Sequence, residues 1–173
     1  MSGAAARLIL GVDPGSRITG YAMLSQRGRQ LAVVESGVIS LRENDPLAAR
    51  LGALANALDA LLDRVTPDEV AVEDVFSARN ARTALKLGQA RGAVLCTVGR
   101  RALAVSAYPP ATVKRAVAGH GRADKGQIQR MVQVLLGLAD LPRTDEADAM
   151  AVAICHGLMR RGADAVTAAR RAR

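Results

Sequence analysis

Four acidic residues stand where an apolar run begins or ends, a spacing that could support chemistry. Asp13 closes the aliphatic stretch Leu8-Ile9-Leu10-Gly11-Val12, and Glu73 closes Val70-Ala71-Val72. Asp145 and Asp148 open a segment that becomes apolar and Ala-rich through Cys155. A carboxylate in such a place costs free energy to desolvate unless it is paired or holds a cation. Taken singly, each has a plain reading. Asp13 bonds its own backbone in a turn. Glu73 is a solvated strand-end acid, and acids in a first helical turn meet the helix dipole. The last reading leaves Asp148 unexplained, because it lies where the helix turns into buried residues. Asp145 and Asp148 share one helix face at i, i+3, whereas Glu146 points about 100° away from Asp145. Taken together, clustered acids raise each other's pKa, and divalent cations relieve the repulsion. Oxygen ligands without matching His or Cys favour Mg2+ or Mn2+ over zinc. Two such ions about 4 Å apart activate a water and stabilise the leaving oxygen of a phosphodiester. The chemistry implied is in-line hydrolysis of a nucleic-acid backbone.

Composition points to the same class of partner. The chain carries 24 basic and 16 acidic residues, a net charge of +8, and its pI is about 10.7. That balance favours a polyanion, nucleic acid first, with plain solubility charge as the alternative. All but three basic residues are Arg; the exceptions are Lys86, Lys114 and Lys125. A position that stays Lys in such a chain is one that needs a compact point charge rather than a planar fork. With 173 residues, 50% of them hydrophobic and only 2% aromatic, the chain forms one domain around an aliphatic core. Residues 1–6 form a flexible lead without the features of a signal peptide. No run reaches the roughly 20 apolar residues of a membrane span, so a cytoplasmic protein is expected. Cys96 and Cys155 lie in apolar helical patterns and read as buried free thiols, without zinc-site spacing.

The elements that must position the acids follow from periodicity. Residues 8–12 form a buried strand. Pro14-Gly15 suits a type II turn, with Gly at φ > 0, and residues 18–24 form the partner strand. Arg27-Gly28-Arg29 turns into a third strand over 30–40, which completes an antiparallel meander. Pro46 opens an amphipathic helix through Val65. The strand that ends in Glu73 is reached through this crossover helix, so it lies parallel to the first. Both strands then bring carboxylates to the sheet edge where open α/β sheets bind ligands. Residues 81–101 form a helix whose Gly88 and Gly92 cost about 1 kcal/mol each relative to Ala. Close approach of another helix explains that cost, and Leu87, Gly88, Ala90 and Arg91 are read as a dimer or packing surface. A short strand begins at Leu103, and Tyr108-Pro109-Pro110 opens a helix carrying Lys114. The loop 119–126, with Arg122 and Lys125, is cationic and glycine-containing, which suits a backbone phosphate. A helix over 127–138 and a last helix N-capped by Thr144 complete the domain, 7–161. Residues 162–173 read as a basic, disordered tail that contacts DNA.

These residues fall into four blocks in a fixed order. They are Asp13-Pro14-Gly15-Ser16-Arg17 with Thr19-Gly20-Tyr21, Glu73 with Val75-Phe76, residues 84–92, and Asp145 with Asp148. In this the chain resembles the RuvC family of Holliday-junction resolvases from about residue 8 to 160. The resemblance implies an α/β ribonuclease H-like fold, a central mixed five-stranded sheet flanked by helices. It also implies a homodimeric, metal-dependent endonuclease acting in DNA recombination and repair. Such an enzyme nicks a four-way junction symmetrically and leaves 5′-phosphate and 3′-hydroxyl ends. By the same resemblance Asp13, Glu73, Asp145 and Asp148 hold Mg2+ or Mn2+, two ions per site. Lys114 and Lys125 act near the scissile phosphate, and Phe76 stacks on bases at the crossover. Arg79, Lys86 and Arg122 are further DNA-binding candidates, and the RuvA–RuvB branch-migration complex is the implied partner. The competing classes are an actin-like phosphotransferase, for which the chain is too short, a junction-binding protein that does not cut, and a related nuclease acting on RNA or simpler branched DNA.

Overall fold

The computed structural model describes residues 5–74 and 80–171, with side chains described to residue 162. Three consecutive strands, β1 (Arg7–Asp13), β2 (Ile18–Arg27) and β3 (Gln30–Ser40), form the expected meander. Helix α1 (Leu47–Arg64) crosses over to β4 (Glu69–Glu73), and α2 (Ala81–Arg100) crosses to β5 (Ala104–Tyr108). Both crossovers give parallel pairing, so the five-stranded sheet has the order β3-β2-β1-β4-β5. Helices α3 (Pro110–Ala118), α4 (Lys125–Leu136) and α5 (Thr144–Arg171) follow.

The strands alternate, and each face of the sheet buries its own set of side chains. Leu10, Val12, Met23, Val70 and Val72 pack against Leu54, Leu58 and Leu62 of α1 and Ala90, Val94 and Val98 of α2. Ile9, Ala22, Leu24 and Ala71 pack against α3, α4 and the apolar run 149–155 of α5. The result is a helix–sheet–helix sandwich with an aliphatic core, as the composition requires.

Several local expectations are corrected. Among the described residues, positive φ is confined to Ala102, Gly28, Gly119 and Gly137, so Gly15 does not form a type II turn. Its glycine is required by space instead, because a Cβ there would lie 1.8 Å from the Ile18 carbonyl oxygen. Gly28, at φ 57°, opens the two-residue β2–β3 connection, where a primed turn matches the strand twist. Thr144 lies inside α5 rather than capping it, since the Ala147 N–H donates to the Arg143 carbonyl at 2.8 Å. Lys125 is the first residue of α4, not a loop residue, because Asp124 and Gln127 close a capping box around it. Cys96 is exposed, while Cys155 is buried. The backbone of α5 stays helical to Arg171, where a disordered tail was expected from Gly162. The four alanines and two arginines between Gly162 and the helix end are good helix formers, and they outweigh the cost of one glycine.

Candidate active site

Asp13 and Glu73 end two adjacent parallel strands. The register pairs Val12 with Val72, so the next residue on each strand is an acid. The backbone beyond Asp13 is pinned from both sides. The Gly15 N–H donates to Thr19 Oγ1 at 3.2 Å, and that hydroxyl donates to the Gly15 carbonyl at 3.3 Å. Thr19 is wholly buried, and the Leu41 N–H donates to the Arg17 carbonyl at 2.8 Å.

The helical acids reach the same edge because α5 lies unusually close to the sheet. A Cβ at Gly20 would sit 2.0 Å from the Asp145 carbonyl oxygen. One at Gly11 would sit 2.3 Å from the Ala149 carbonyl oxygen and 2.8 Å from the Ala153 Cβ. Two strand glycines facing two helix alanines thus let the first turns of α5 rest on β1 and β2. These glycines are functional features that the sequence reading missed. The signal was available, since glycine inside a strand weakens it and marks close backbone approach.

Electrostatics bind the group into one unit. Burial, then the neighbouring Asp148, push the Asp13 carboxyl up to about 6. Burial, then Asp13, push Glu73 up to about 8, and the Lys114 cation partly offsets the rise. Glu73 holds the proton of a hydrogen bond shared with Asp13, which raises its own pKa and lowers that of Asp13. Lys125 Nζ donates to Asp148 Oδ2 at 3.1 Å. Burial works against its charge, but Asp148, Asp13 and Asp145 outweigh this and raise its pKa. The structure therefore brings Asp13, Glu73, Asp145, Asp148, Lys114 and Lys125 within electrostatic reach of one another.

Two half-buried carboxyls with raised pKa, next to two more acids, are the donor set that a hard divalent cation would relieve. Among the described residues no three acidic, His or Cys side chains close into a ready-made ligand shell. Asp148 Oδ2 accepts from Lys125 Nζ, and a hydrogen bond couples Asp13 to Glu73. The residues fit a Mg2+-like ion by chemistry, and binding one requires that proton and that lysine bond to be displaced.

The remaining candidates divide. Lys86 and Arg122 are exposed, and Lys114 is half-buried. Phe76 and Arg79 lie outside the described residues. On α2, Ala90 is only 1% exposed and belongs to the core, so it is removed from the expected dimer surface. Arg91 is half-buried and pairs with Asp74 of its own chain at 3.2 Å, and Leu87 is half-buried. Gly88 and Gly92 have nothing within 4 Å of an added Cβ, so packing within the chain does not explain them. Of the two readings of this surface, packing within the chain holds for Ala90. Ala90, Val94 and Val98 share the core face of α2, and the exposed Gly88 and Gly92 lie on the other.

Comparison with known proteins agrees with this geometry. The family model described as crossover junction endodeoxyribonuclease RuvC matches residues 9–156. The crossover junction endodeoxyribonuclease RuvC of Marinobacter nauticus is 51% identical over 152 residues, covering 88% of this chain and 86% of the relative. The structure of T. thermophilus RuvC in complex with a Holliday junction substrate superposes with a TM-score of 0.85 at 34% identity, covering 91% of this chain and 96% of that one. The yeast mitochondrial Holliday junction resolvase shares the fold alone, at a TM-score of 0.61 and 15% identity over 90% of this chain and 80% of that one. No helix among the described residues is long and apolar enough to cross a membrane. With acids from two parallel strand tips and one helix gathered at the same edge, and with these matches along most of its length, the chain belongs to the RuvC family of metal-dependent crossover junction endodeoxyribonucleases.

Proposed function

We propose that this protein acts as a cytoplasmic homodimer on four-way junction DNA and resolves it by two symmetric nicks. The observation that carries the reading is the gathering of Asp13, Glu73, Asp145 and Asp148 beside Lys114 and Lys125 in a chain of net charge +8. Asp13, Glu73, Asp145 and Asp148 would hold two Mg2+ or Mn2+ ions, which supply activation of water and neutralisation of charge on the phosphate. To hold an ion, both strand-tip carboxylates would have to be ionised, so Glu73 would have to release the proton of its hydrogen bond with Asp13. Lys125 then leaves Asp148 and turns its charge to the scissile phosphate, with Lys114 beside it. In the reaction, an oxygen–phosphorus bond forms from water and the bond from phosphorus to O3′ breaks. The water's proton is lost to solvent and O3′ gains one, so a 5′-phosphate and a 3′-hydroxyl remain.

Lys86 and Arg122 are placed to take backbone phosphates away from the reacting one. Phe76 and Arg79 follow β4 directly in sequence and are assigned to the crossover. The exposed face of α2, with Leu85, Gly88 and Gly92, is assigned to the second copy. A branch-migration complex of the RuvA–RuvB kind is the implied partner. The test is strand cleavage of a synthetic four-way junction beside a linear duplex of the same sequence, with and without Mg2+ or Mn2+. Paired, metal-dependent nicks in the junction alone are expected. Cleavage of RNA or plain duplex instead, or binding without nicks, overturns the assignment.

A further inference from the structure

A second polar cluster lies inside the fold, away from the four acids. His156 is 1% exposed and directly follows the apolar run 149–155 of α5. Its Nε2 faces Glu69 Oε2 at 2.5 Å, and its Nδ1 faces the Tyr108 hydroxyl at 2.8 Å. The Tyr108 and His156 rings meet edge to face, with centroids 5.8 Å apart. Arg7 and Arg160 stand over the Glu69 carboxylate at 3.7 and 3.3 Å. With Nε2–H donated to Glu69, Nδ1 is free to accept from the tyrosine hydroxyl, so every link has a donor and an acceptor.

The placement of this chain of contacts is informative. Glu69 and Glu73 are the two ends of β4 and point to the same face, because strand side chains repeat every second residue. They are about 13 Å apart along the strand. His156 and Asp148 are both on α5, eight residues apart in number, or about 12 Å along the helix. The Glu69–His156 contact is therefore one rung between β4 and α5, and Glu73 with Asp148 is the other, at nearly equal spacing. Fixing the first rung sets the register of the second. Tyr108 adds the third element. It pairs with Glu73 in the β4–β5 register, and its carbonyl accepts from the Asp74 N–H at 2.9 Å. Pro109 and Pro110 follow at once and start α3, which carries Lys114.

We propose that Glu69, His156 and Tyr108 form a positioning relay that sets Glu73 and Lys114 against Asp148 during phosphodiester cleavage, a reading that rests on the endonuclease function above. An apolar trio of the same volume would fill this space with equal or greater stability, because burying a carboxylate and an imidazole is costly. What the polar chain adds is direction, since hydrogen bonds fix distance and angle where aliphatic packing does not. None of the three residues touches the reacting phosphate; they act through the two strand ends and the helix.

The test compares Tyr108→Phe, His156→Gln and the double variant with the unaltered protein. Three quantities are read: the single-turnover cleavage rate at saturating enzyme, the junction Kd without divalent ion, and hydrogen exchange at the Asp74 amide. Tyr108→Phe removes one hydroxyl and leaves the packing intact, so folding is retained even if His156→Gln fails to fold. A displacement near 1 Å costs up to ~10²-fold in rate, and about a tenfold loss is expected for Tyr108→Phe. Junction Kd stays within twofold, and Asp74 exchange quickens. The double variant is no slower than His156→Gln alone, because both changes break the same link. Cleavage at the unaltered rate in Tyr108→Phe overturns the relay, as does a loss of affinity equal to the loss of rate. If the unaltered protein binds junctions and does not cut them, the endonuclease reading fails; the exchange readout still decides the relay, with unchanged exchange at Asp74 overturning it.

Discussion

Gly20→Ala tests whether the close approach of α5 is what assembles the site. The added Cβ would lie 2.0 Å from the Asp145 carbonyl oxygen and 3.3 Å from the Ala149 Cβ. An ordinary carbon–oxygen contact is about 3.3 Å or more, so the first turn of α5 must retreat by about 1.3 Å. The obstacle is backbone and cannot rotate away. Overpacking of this kind costs about 1–3 kcal/mol, which a chain of this size tolerates with a melting point lower by a few degrees. The retreat also carries Asp145 and Asp148 away from Asp13, and a displacement near 1 Å costs on the order of 10²-fold in rate. Junction affinity does not depend on this spacing, so it holds within about twofold. Gly52→Ala is the control: Gly52 is exposed in α1 with nothing within 4 Å, and the change gains about 0.5–1 kcal/mol of helix propensity. The assay is single-turnover cleavage of a four-way junction in Mg2+, with binding measured separately and melting points for both variants. Gly20→Ala cutting at the rate of Gly52→Ala would refute the reasoning, because α5 would then have room that the geometry denies it.

Asp13→Asn should abolish cutting, by about 10³-fold or more, and preserve junction binding; loss of binding as well would make Asp13 a structural residue. Lys114→Ala should lower turnover by about 10²-fold with little change in affinity, and equal losses of both would count against a role at the phosphate. The pH dependence follows from the raised carboxyls. Asp13 moves from 3.8 to about 6 and Glu73 from 4.5 to about 8, so in this window the folded protein binds more protons than the unfolded chain. The stability that these two groups contribute to the metal-free protein is then full below about pH 4 and is lost as pH rises through 6 to 8. Thermal melts across that range should show the decline, and Glu73→Gln should flatten its upper part; a stability that rises from pH 5 to 8 would contradict the assignment.

The acids were legible in the sequence because desolvation makes a carboxylate at the end of an aliphatic run conspicuous. Asp13 and Glu73 each close such a run, and parallel pairing through a crossover helix follows from chain order alone. The meander and the aliphatic core were legible for similar reasons, as was the scarcity of lysine that singled out Lys114 and Lys125. Other features depend on contacts between distant segments. Gly11 and Gly20 look like weak points in strands until α5 is laid over them. Gly15 looks like a turn residue, yet it is required by the Ile18 carbonyl rather than by its own φ. His156 and Glu69 are 87 residues apart, and nothing local links them. Lys125 sits among glycines and looks like a loop residue until the capping box of Asp124 and Gln127 starts the helix at it.

The same contacts explain how a basic chain tolerates four acids at one edge. Before an ion arrives, Glu73 keeps a proton that it shares with Asp13, and Lys125 neutralises Asp148. The negative charge at the edge is thereby kept low, and a phosphate backbone can approach. Binding a divalent ion must displace the Glu73 proton, so it competes with protons up to the pH where Glu73 ionises, about 8. The half-saturating Mg2+ concentration for cleavage should therefore fall as pH rises from 6 to 8 and level off above that. Lys125→Met should lower it at every pH, since one competitor for Asp148 is gone, while turnover at saturating Mg2+ falls because the phosphate has lost a point charge. Metal titrations of cleavage at several pH values measure both, and a half-saturating concentration independent of pH would show that Glu73 carries no proton for the metal to displace.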